Sequence, residues 1–220
     1  MPFTVYLVRH GQTIFNKYNR MQGWSDSPLT EKGINDGHTT GKKLSQIKFA
    51  NAYSSDTTRA NRTANYILSE NENSSDLIVK TSEFLREQGY GYYEGADSSQ
   101  AWFVVGKPHG AANFTEILQQ FSIEEARDFF KEIDPFHDAE DDADFWARRD
   151  KGFDLLRKDA KDGDNVLVVS HGTTIRSIVS RFAPEIDITM SPKNGSVTKL
   201  IVDDNSVKVE YFNHHDDDEI

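Results

Sequence analysis

Apolar and polar residues are grouped along this chain in a pattern that predicts alternating strands and helices. Short apolar runs, each long enough for a buried strand, are separated by longer stretches with the mixed character of amphipathic helices. Such an alternation indicates a mainly parallel sheet with helices on both faces. The predicted strands lie at residues 3–8, 50–53, 77–80 and 165–169.

Capping side chains mark where several of the predicted helices begin. Thr30 and Asp56 are suited to cap helices, and Ser122 with Glu125 has the spacing of a capping box. Farther along, aromatic and aliphatic residues recur at intervals that place them on one helical face. The predicted helices cover about 30–48, 56–68, a segment after Ser122, 143–160 (with Trp146, Phe153, Leu156 and Ala160 on one face) and 173–182.

The end of the chain has a different pattern. Residues 196–212, SVTKLIVDDNSVKVEYF, read as two strands joined at Asp204–Asn205, which predicts an antiparallel hairpin. We therefore expect an α/β fold with a mainly parallel central sheet, helices on both faces and a C-terminal antiparallel hairpin. The length and the lack of a linker-like segment predict a single domain over residues 1–213, followed by an acidic disordered tail at 214–220.

Charge and cysteine content limit the classes of function. The formal net charge is −11, and so acidic a surface disfavours binding to nucleic acid and to anionic membranes. Without cysteine the chain has no disulfide framework and no thiolate chemistry. No apolar run approaches the ~20 residues of a membrane span, and the N-terminus lacks the basic start of a secretory signal. We expect a cytoplasmic protein that binds neither nucleic acid nor membranes; its oligomeric state, a homo-oligomer included, is left open.

Two of the predicted strands lead directly into a histidine. The first ends in Arg9 and His10, the strand at 165–169 leads to His171, and each histidine is followed by glycine. Because ligands of parallel α/β sheets bind beyond the carboxyl ends of the strands, we expect His10 and His171 to face each other across a pocket. A helix that begins after Gly172 would direct its free N–H groups at that pocket, which favours an anion.

Arg59 follows a third strand end, in the first turn of a predicted helix. A positive charge is unfavourable near a helix N-terminus. An anion held between Arg59 and Arg9 explains the residue better than a structural role does, since planar guanidinium groups match phosphate oxygens in two-point contacts. Two arginines, two histidines and a helix start therefore point to a phosphoryl group.

Five sequence blocks, in order along the chain, resemble those of the histidine phosphatase superfamily, the phosphoglycerate mutase-like proteins. The Arg-His-Gly tripeptide alone would be a weak signal, whereas the ordered set is specific. The blocks are LVRHGQT (7–13) followed by Asn16, QGWSDSPLTEKG (22–33), SSDTTRANRTA (54–64), LREQGYGYYEG (85–95) and VVSHGTTIRSIV (168–179).

The resemblance implies a metal-free mechanism. His10 would be the nucleophile, transiently phosphorylated on one ring nitrogen while the other is tied to an acceptor such as a backbone carbonyl. Glu87 would be the proton donor, a choice over Glu83 or Glu94 that rests on the motif alone. No cofactor or metal is expected, because arginines would supply the positive charge. The phosphoryl group would be bound by Arg9, Arg59, a protonated His171 and Gly172, with Asn16, Gln22 and Gly23 lining its pocket.

Three functions are compatible with this site. A phosphatase that acts on a small phosphorylated metabolite is favoured, because the mutases' Arg-His-Tyr-Gly after the glutamate is replaced here by residues 88–91, Gln-Gly-Tyr-Gly. Lys107 and His109 are the only basic residues predicted to grip the rest of the substrate. The alternatives are a cofactor-dependent phosphoglycerate mutase and a non-catalytic phospholigand-binding domain. Residues 102–112 form either a substrate lid or part of the core.

Overall fold

The strands predicted from the apolar runs form one sheet in the computed structural model, which describes residues 2–215. The sheet has six strands in the order β3-β2-β4-β1-β5-β6. The strands from β3 to β1 are parallel, and β5 runs antiparallel to both β1 and β6. The strands are β1 (Phe3–Arg9), β2 (Asn51–Ser55), β3 (Lys80–Ser82), β4 (Asn165–Ser170), β5 (Val197–Val202) and β6 (Val207–His214). The predicted mainly parallel sheet and C-terminal hairpin are confirmed.

The helices cover both faces of this sheet and extend beyond its edge. Short 3-10 turns at Glu83–Leu85, Gly91–Tyr93 and Lys107–His109 connect some of them. The helices are α1 (Ile14–Lys17), α2 (Glu31–Lys43), α3 (Thr58–Ser69), α4 (Ser98–Gly106), α5 (Phe114–Gln120), α6 (Ile123–Ile133), α7 (Asp142–Asp159) and α8 (Gly172–Phe182).

Alternate side chains of the central strands enter two separate hydrophobic clusters. Val5 and Leu7 of β1 pack with residues of α7 and α8, such as Phe153. Tyr6 and Val8 point to the opposite face and pack with residues of α3. Because both faces are covered, β1 is apolar or aromatic from Val5 to Val8, and Arg9 and His10 follow at the end where the site lies.

A third hydrophobic cluster lies apart from the sheet. It joins the 90–93 segment to α4, α5 and α6 through residues such as Tyr90, Trp102 and Phe130. The Trp102 ring stacks on Phe114 with centroids 4.0 Å apart. We call this unit, residues 90–133, the helical cap, because it forms one wall of the cavity described below.

The capping predictions were right in two cases and wrong in one. Thr30 caps α2, and Ser122 with Glu125 forms a capping box on α6. Asp56 does not cap α3: the N-cap residue is Thr57, and both Asp56 oxygens bind the guanidinium of Arg86 instead.

Several predicted boundaries also shift. The helix predicted to reach Lys48 ends at Lys43, and the strand predicted at 77–80 is paired only over Lys80–Ser82. Residues 77 and 79 are half-buried against the sheet without ladder pairing, so their apolar pattern reflects packing alone. Strand β6 reaches His214, one residue past the predicted domain end; residues 216–220 of the predicted tail lie outside the described residues.

None of the helices within residues 2–215 combines the length and the apolar character that a membrane span requires.

Candidate active site

A cavity of about 410 Å³ opens at the carboxyl ends of β1 and β4, between the sheet and the helical cap. Its wall combines cationic, amide and hydroxyl groups with aromatic rings. Among the predicted site residues, the structure brings Arg9, His10, Asn16, Gln22, Glu87 and Gly172 to this wall, and Gln12, Arg20, Tyr90, Trp102, Phe114, Thr173, Arg176 and Asn194 join them.

His10 is buried at the start of the loop that follows β1. Its Nδ1 lies 2.8 Å from the carbonyl oxygen of Gly11. A carbonyl can only accept, so Nδ1 carries the proton and Nε2 is left with a free lone pair. Burial, reinforced by the positive charges of Arg59 and Arg9, lowers the pKa of His10 well below its ordinary value. The residue is therefore a neutral imidazole, and the expected backbone acceptor is the next residue's carbonyl.

His171 lies directly behind His10, with the ring centroids 5.1 Å apart. Its Nδ1 accepts a hydrogen bond from Arg59 over 3.1 Å, and its Nε2 lies 2.8 Å from Ser55 Oγ. Burial and the charge of Arg59 lower the pKa of His171 well below its ordinary value. The expectation of a protonated His171 is wrong, because a nitrogen that accepts from a guanidinium cannot also hold a proton.

Arg59 is fully buried and is held by a loop that precedes α2. Its Nη1 donates to Asp26 Oδ1 over 2.9 Å, and its Nη2 donates to the carbonyl of Gly23 over 2.7 Å. Asp26 also accepts from the backbone N–H of Thr58, so one carboxylate caps α3 and neutralises the arginine in its first turn. The partner that the sequence argument sought for Arg59 is therefore supplied by the protein itself.

Glu87 lies against the N-terminus of α8. Its Oε2 accepts from the backbone N–H of Thr173 over 2.8 Å, and its Oε1 accepts from the N–H and hydroxyl of Thr174. The free N–H groups that were expected to face an anion are thus partly used to orient this carboxylate. Because Oε2 accepts only one of these bonds, it retains a lone pair that can hold a proton.

Two donors on the cavity wall are buried without a protein partner. The Nε of Arg9 and the Nε2 of Gln22 make no hydrogen bond within the described chain, although Gln22 Oε1 is held by Thr13 and Ser27. A buried donor without an acceptor costs about 1–3 kcal/mol. Unpaired donors beside a neutral histidine are therefore suited to an anionic ligand that supplies the missing acceptors.

Three predicted site residues do not reach the cavity wall. Arg59, His171 and Gly23 do not line the cavity: His171 packs against His10, and Arg59 contacts both His171 and the Gly23 carbonyl. The Gly23 N–H donates to Glu94 Oε2 over 3.0 Å, so it is not available to a ligand.

Glu94 has a structural role, which distinguishes it from Glu87. Its carboxylate accepts from the backbone N–H groups of Trp24, Ser25 and Tyr90 as well as from that of Gly23. It therefore holds the loop that supplies the acceptors for Arg59. The sequence alone could not separate the two glutamates; their positions in the structure do.

The basic residues on the outer wall differ from those expected. Lys107 and His109 are absent from the wall; His109 instead stacks on Phe129 with centroids 3.5 Å apart. Arg20 and Arg176 take their place. Arg176 follows Gly172 by four residues on α8, so helical periodicity was the signal that could have found it.

Arg176 is held rigidly although it is almost fully buried. Its Nε and Nη2 donate to the carbonyls of Ile188 and Thr189, both over 2.6 Å. Its guanidinium carbon lies 4.7 Å from the centre of the Phe114 ring. Burial lowers the pKa of Arg176 to about 10, so the side chain is charged at neutral pH.

The 102–112 segment is core only at a few apolar positions, and most of its other residues are exposed. Trp102, Val105 and Ala111 are buried in the helical cap, while Phe103 is about half exposed. Trp102 alone of this segment faces the cavity. The segment thus contributes a fixed wall.

Comparisons with known proteins agree with this fold. A solved phosphoglycerate mutase from Bacillus anthracis str. Sterne superimposes with a TM-score of 0.90 at 38% identity, over 96% of this chain and 93% of that one. The 2,3-bisphosphoglycerate-dependent phosphoglycerate mutase 2 of Gloeobacter violaceus is 32% identical over 79% of this chain and 72% of its own length. Fructose-2,6-bisphosphatase TIGAR of Xenopus laevis is 29% identical over 93% of this chain and 84% of its own.

The family model of the histidine phosphatase superfamily (branch 1) matches residues 5–215. That match includes every residue of the cavity wall, and the resemblance seen in the five sequence blocks is confirmed. The chain belongs to the histidine phosphatase superfamily, whose members include phosphatases and phosphoglycerate mutases.

Proposed function

We propose that this chain hydrolyses a small phosphomonoester through a phosphohistidine formed on His10, with Glu87 as the proton donor. One observation carries the proposal: a neutral His10 whose Nε2 is free lines the same cavity as the carboxylate of Glu87. A neutral imidazole avoids the repulsion that an anionic nucleophile meets at a phosphate dianion, and it needs no base to activate it.

In the first step, His10 Nε2 attacks phosphorus and the bond from phosphorus to the alcohol oxygen breaks. An alkoxide is a poor leaving group, so Glu87 transfers the proton on Oε2 to the departing oxygen. The products of this step are phospho-His10, the free alcohol and ionised Glu87.

In the second step, Glu87 takes a proton from water as the water oxygen attacks phosphorus. The nitrogen–phosphorus bond breaks, and phosphate leaves with His10 neutral and Glu87 protonated again. One residue therefore serves as acid and then as base.

The surrounding residues stabilise the charge of the transferring group. Arg9 and the side-chain amide of Gln22 present unpaired donors at the cavity wall, where fixed donors stabilise the equatorial oxygens. Asn16 and Gly172 line the same wall. Arg59 and His171 support His10 although they do not line the cavity. Arg59 contributes positive charge, and His171, which accepts a hydrogen bond from Arg59, packs against the His10 ring and holds it in place.

The outer cavity supports hydrolysis as the outcome. Arg20 on its wall is solvent-exposed, so water has access. Gln88, the residue after the proton donor, is buried and does not line the cavity. Two aromatic rings, Trp102 and Phe114, form part of the cavity wall.

A phosphoglycerate mutase is the second candidate, and a specific observation favours it. Arg20 and Arg176 give the outer wall two positive charges in addition to Arg9. These arginines could bind the second anionic group of a substrate such as a phosphoglycerate or a bisphosphate.

The test begins with an aryl phosphate such as 4-nitrophenyl phosphate. We expect an acid-labile, alkali-stable phosphate adduct on the wild-type chain, none on His10→Asn, and normal labelling of the control His38→Asn, which alters a surface histidine paired with Glu70. No adduct on the wild type would leave only a phospholigand-binding role. Release of free phosphate from 3-phosphoglycerate supports hydrolysis, whereas isomerisation without release supports the mutase.

A further inference from the structure

We infer that the buried pair of Glu140, two residues before α7, and Arg148, within α7, is a positioning device for the proton donor. The pair holds the main chain around Glu87 so that the carboxyl group meets the leaving oxygen. The inference rests on the proposed function and assigns these two residues a part in it.

Arg148 gathers the carbonyl groups of the segment that carries the donor. Its Nη1 lies within hydrogen-bond distance of the carbonyls of Glu83, Phe84 and Arg86, at 3.2–3.4 Å. Its Nη2 donates to the carbonyl of Glu87 itself over 3.0 Å. A guanidinium can serve several acceptors at once because its five N–H groups point outward in one plane.

Glu140 holds the main chain two residues after Glu87, at Gly89. Its Oε2 accepts from the Gly89 N–H over 2.9 Å, and its own N–H donates to the Gly89 carbonyl over 3.0 Å. Both carboxylate oxygens also accept from Arg148, at 2.7 and 2.8 Å. The side chains are 8% and 11% exposed, so the pair is nearly desolvated, and removing one partner leaves the other charge unpaired.

Other side chains support the part of this segment that precedes Glu87: Arg149 donates to the Phe84 carbonyl over 2.8 Å, and Thr174 Oγ1 donates to the Arg86 carbonyl over 3.1 Å. After the 3-10 turn at Glu83–Leu85, residues 86–90 belong to no helix or strand, so their peptide groups depend on side chains for partners. The Trp24 indole N–H also donates to the Glu87 carbonyl, over 3.0 Å. The main chain of Glu87 is therefore held by Arg148 and Trp24, while its carboxylate is held by the first turn of α8.

A positioning role has a consequence that a purely structural role lacks. Alkyl phosphates need a proton on the leaving oxygen, whereas 4-nitrophenolate leaves without one. General acid catalysis contributes on the order of 10²–10⁴ to rate. Displacement of Glu87 should therefore lower kcat/KM for an alkyl phosphate much more than kcat/KM for 4-nitrophenyl phosphate, because only the first step differs between the two esters.

The experiment compares Arg148→Met and Glu140→Gln with wild type on an alkyl phosphate and on 4-nitrophenyl phosphate. We expect Arg148→Met to reduce kcat/KM for the alkyl ester at least ~10-fold more than for the aryl ester, and Glu140→Gln to act in the same direction more weakly. The comparison uses kcat/KM because this constant reports the steps up to departure of the alcohol, whereas kcat also contains the hydrolysis of phospho-His10, in which Glu87 acts as base for both esters. Arg157→Met is the matched control, because Arg157 is on the same helix and donates to the carbonyl of Asp203, far along the chain from the donor.

The outcomes separate this inference from the proposed function. A wild-type chain that forms no phosphohistidine refutes the function. If the wild type is labelled but the folded variants lose equal activity on both esters, the positioning role is overturned. It is also overturned if Arg157→Met changes the ratio of alkyl to aryl activity as much as Arg148→Met does. If circular dichroism shows that Arg148→Met does not fold, Glu140→Gln becomes the test, because its side chain keeps an oxygen for the Gly89 N–H. An unchanged ratio of alkyl to aryl activity in Glu140→Gln would then refute the inference.

Discussion

Arg59 donates a hydrogen bond to Nδ1 of His171 over 3.1 Å, and this contact fixes the protonation of the second histidine of the site. The Nε2 of His171 then carries the only ring proton and donates to Ser55. The positive charge behind the nucleophile therefore belongs to Arg59, whereas His171 is a neutral spacer between that charge and His10.

Arg59→Lys tests this assignment. A lysine cannot reproduce the planar fork that binds Asp26, the Gly23 carbonyl and His171 together, so the charge would move and His171 would lose its donor. We expect kcat/KM for 4-nitrophenyl phosphate to fall ~100-fold or more, the typical loss for one preorganised donor. Arg62→Lys, on the exposed side of the same helix, should stay within about twofold by the same kinetics. Equal rates in the two variants would refute the role of Arg59.

The pH dependence of stability follows from the lowered pKa values of His10 and His171. Below about pH 6.5 the unfolded chain binds protons on these residues and the folded chain does not. The free energy of unfolding should therefore be insensitive to them above about pH 7. It should fall as pH decreases, with each histidine contributing a slope that approaches ~1.4 kcal/mol per pH unit. Urea unfolding at pH 7, 6 and 5 should show a shallower decline for His10→Asn than for wild type; parallel curves would contradict the prediction.

Glu94→Gln should weaken the loop that holds Arg59. The carboxylate accepts from several backbone N–H groups of residues 23–25 and 90, and an amide retains only one acceptor oxygen while bringing an N–H₂ among donors. We expect a loss of about 2–3 kcal/mol in the free energy of unfolding, measured by urea titration, together with lower activity. Glu83→Gln, at an exposed position, is the control. A loss of the same size in both variants would show that Glu94 has no special role.

Arg176→Gln should separate recognition of the second anionic group from phosphoryl transfer. KM for 3-phosphoglycerate should rise at least ~10-fold, because a charge-assisted contact is lost, while KM for 4-nitrophenyl phosphate should change little. Arg181→Gln, an exposed residue on the same helix, should leave both values unchanged. A parallel rise of KM for both substrates in Arg176→Gln would place this arginine outside the binding of a second anion.

The sequence predicted the fold well because its signals are strong and local. Apolar runs such as that of β1 can be buried only on both faces of a covered sheet, and capping side chains such as Ser122 act on their own helix. The failures occur where a distant group intervenes: Asp26, some thirty residues away, supplies the acceptor for the first turn of α3 that Asp56 was expected to provide.

The sequence predicted the central residues of the site better than the residues of its outer wall. Arg9 and His10 follow from their place at a strand end and Glu87 from the family motif, and the structure brings all three to one cavity. The neutral state of His171 depends on which nitrogen faces Arg59, and no sequence pattern reports that orientation. Arg20 and Arg176 were missed because their neighbours are ordinary helix and loop residues until the chain folds around the cavity.

The separation between the sheet and the helical cap has a consequence for engineering. The residues proposed to handle phosphorus come from the end of β1, the loop that contains Gln22 and the first turn of α8, whereas Tyr90, Trp102 and Phe114 belong to a hydrophobic cluster of their own. Substrate range can therefore be redesigned by exchanging the 98–121 stretch for that of another family member, or by randomising Trp102 and Phe114, while the catalytic core is left untouched.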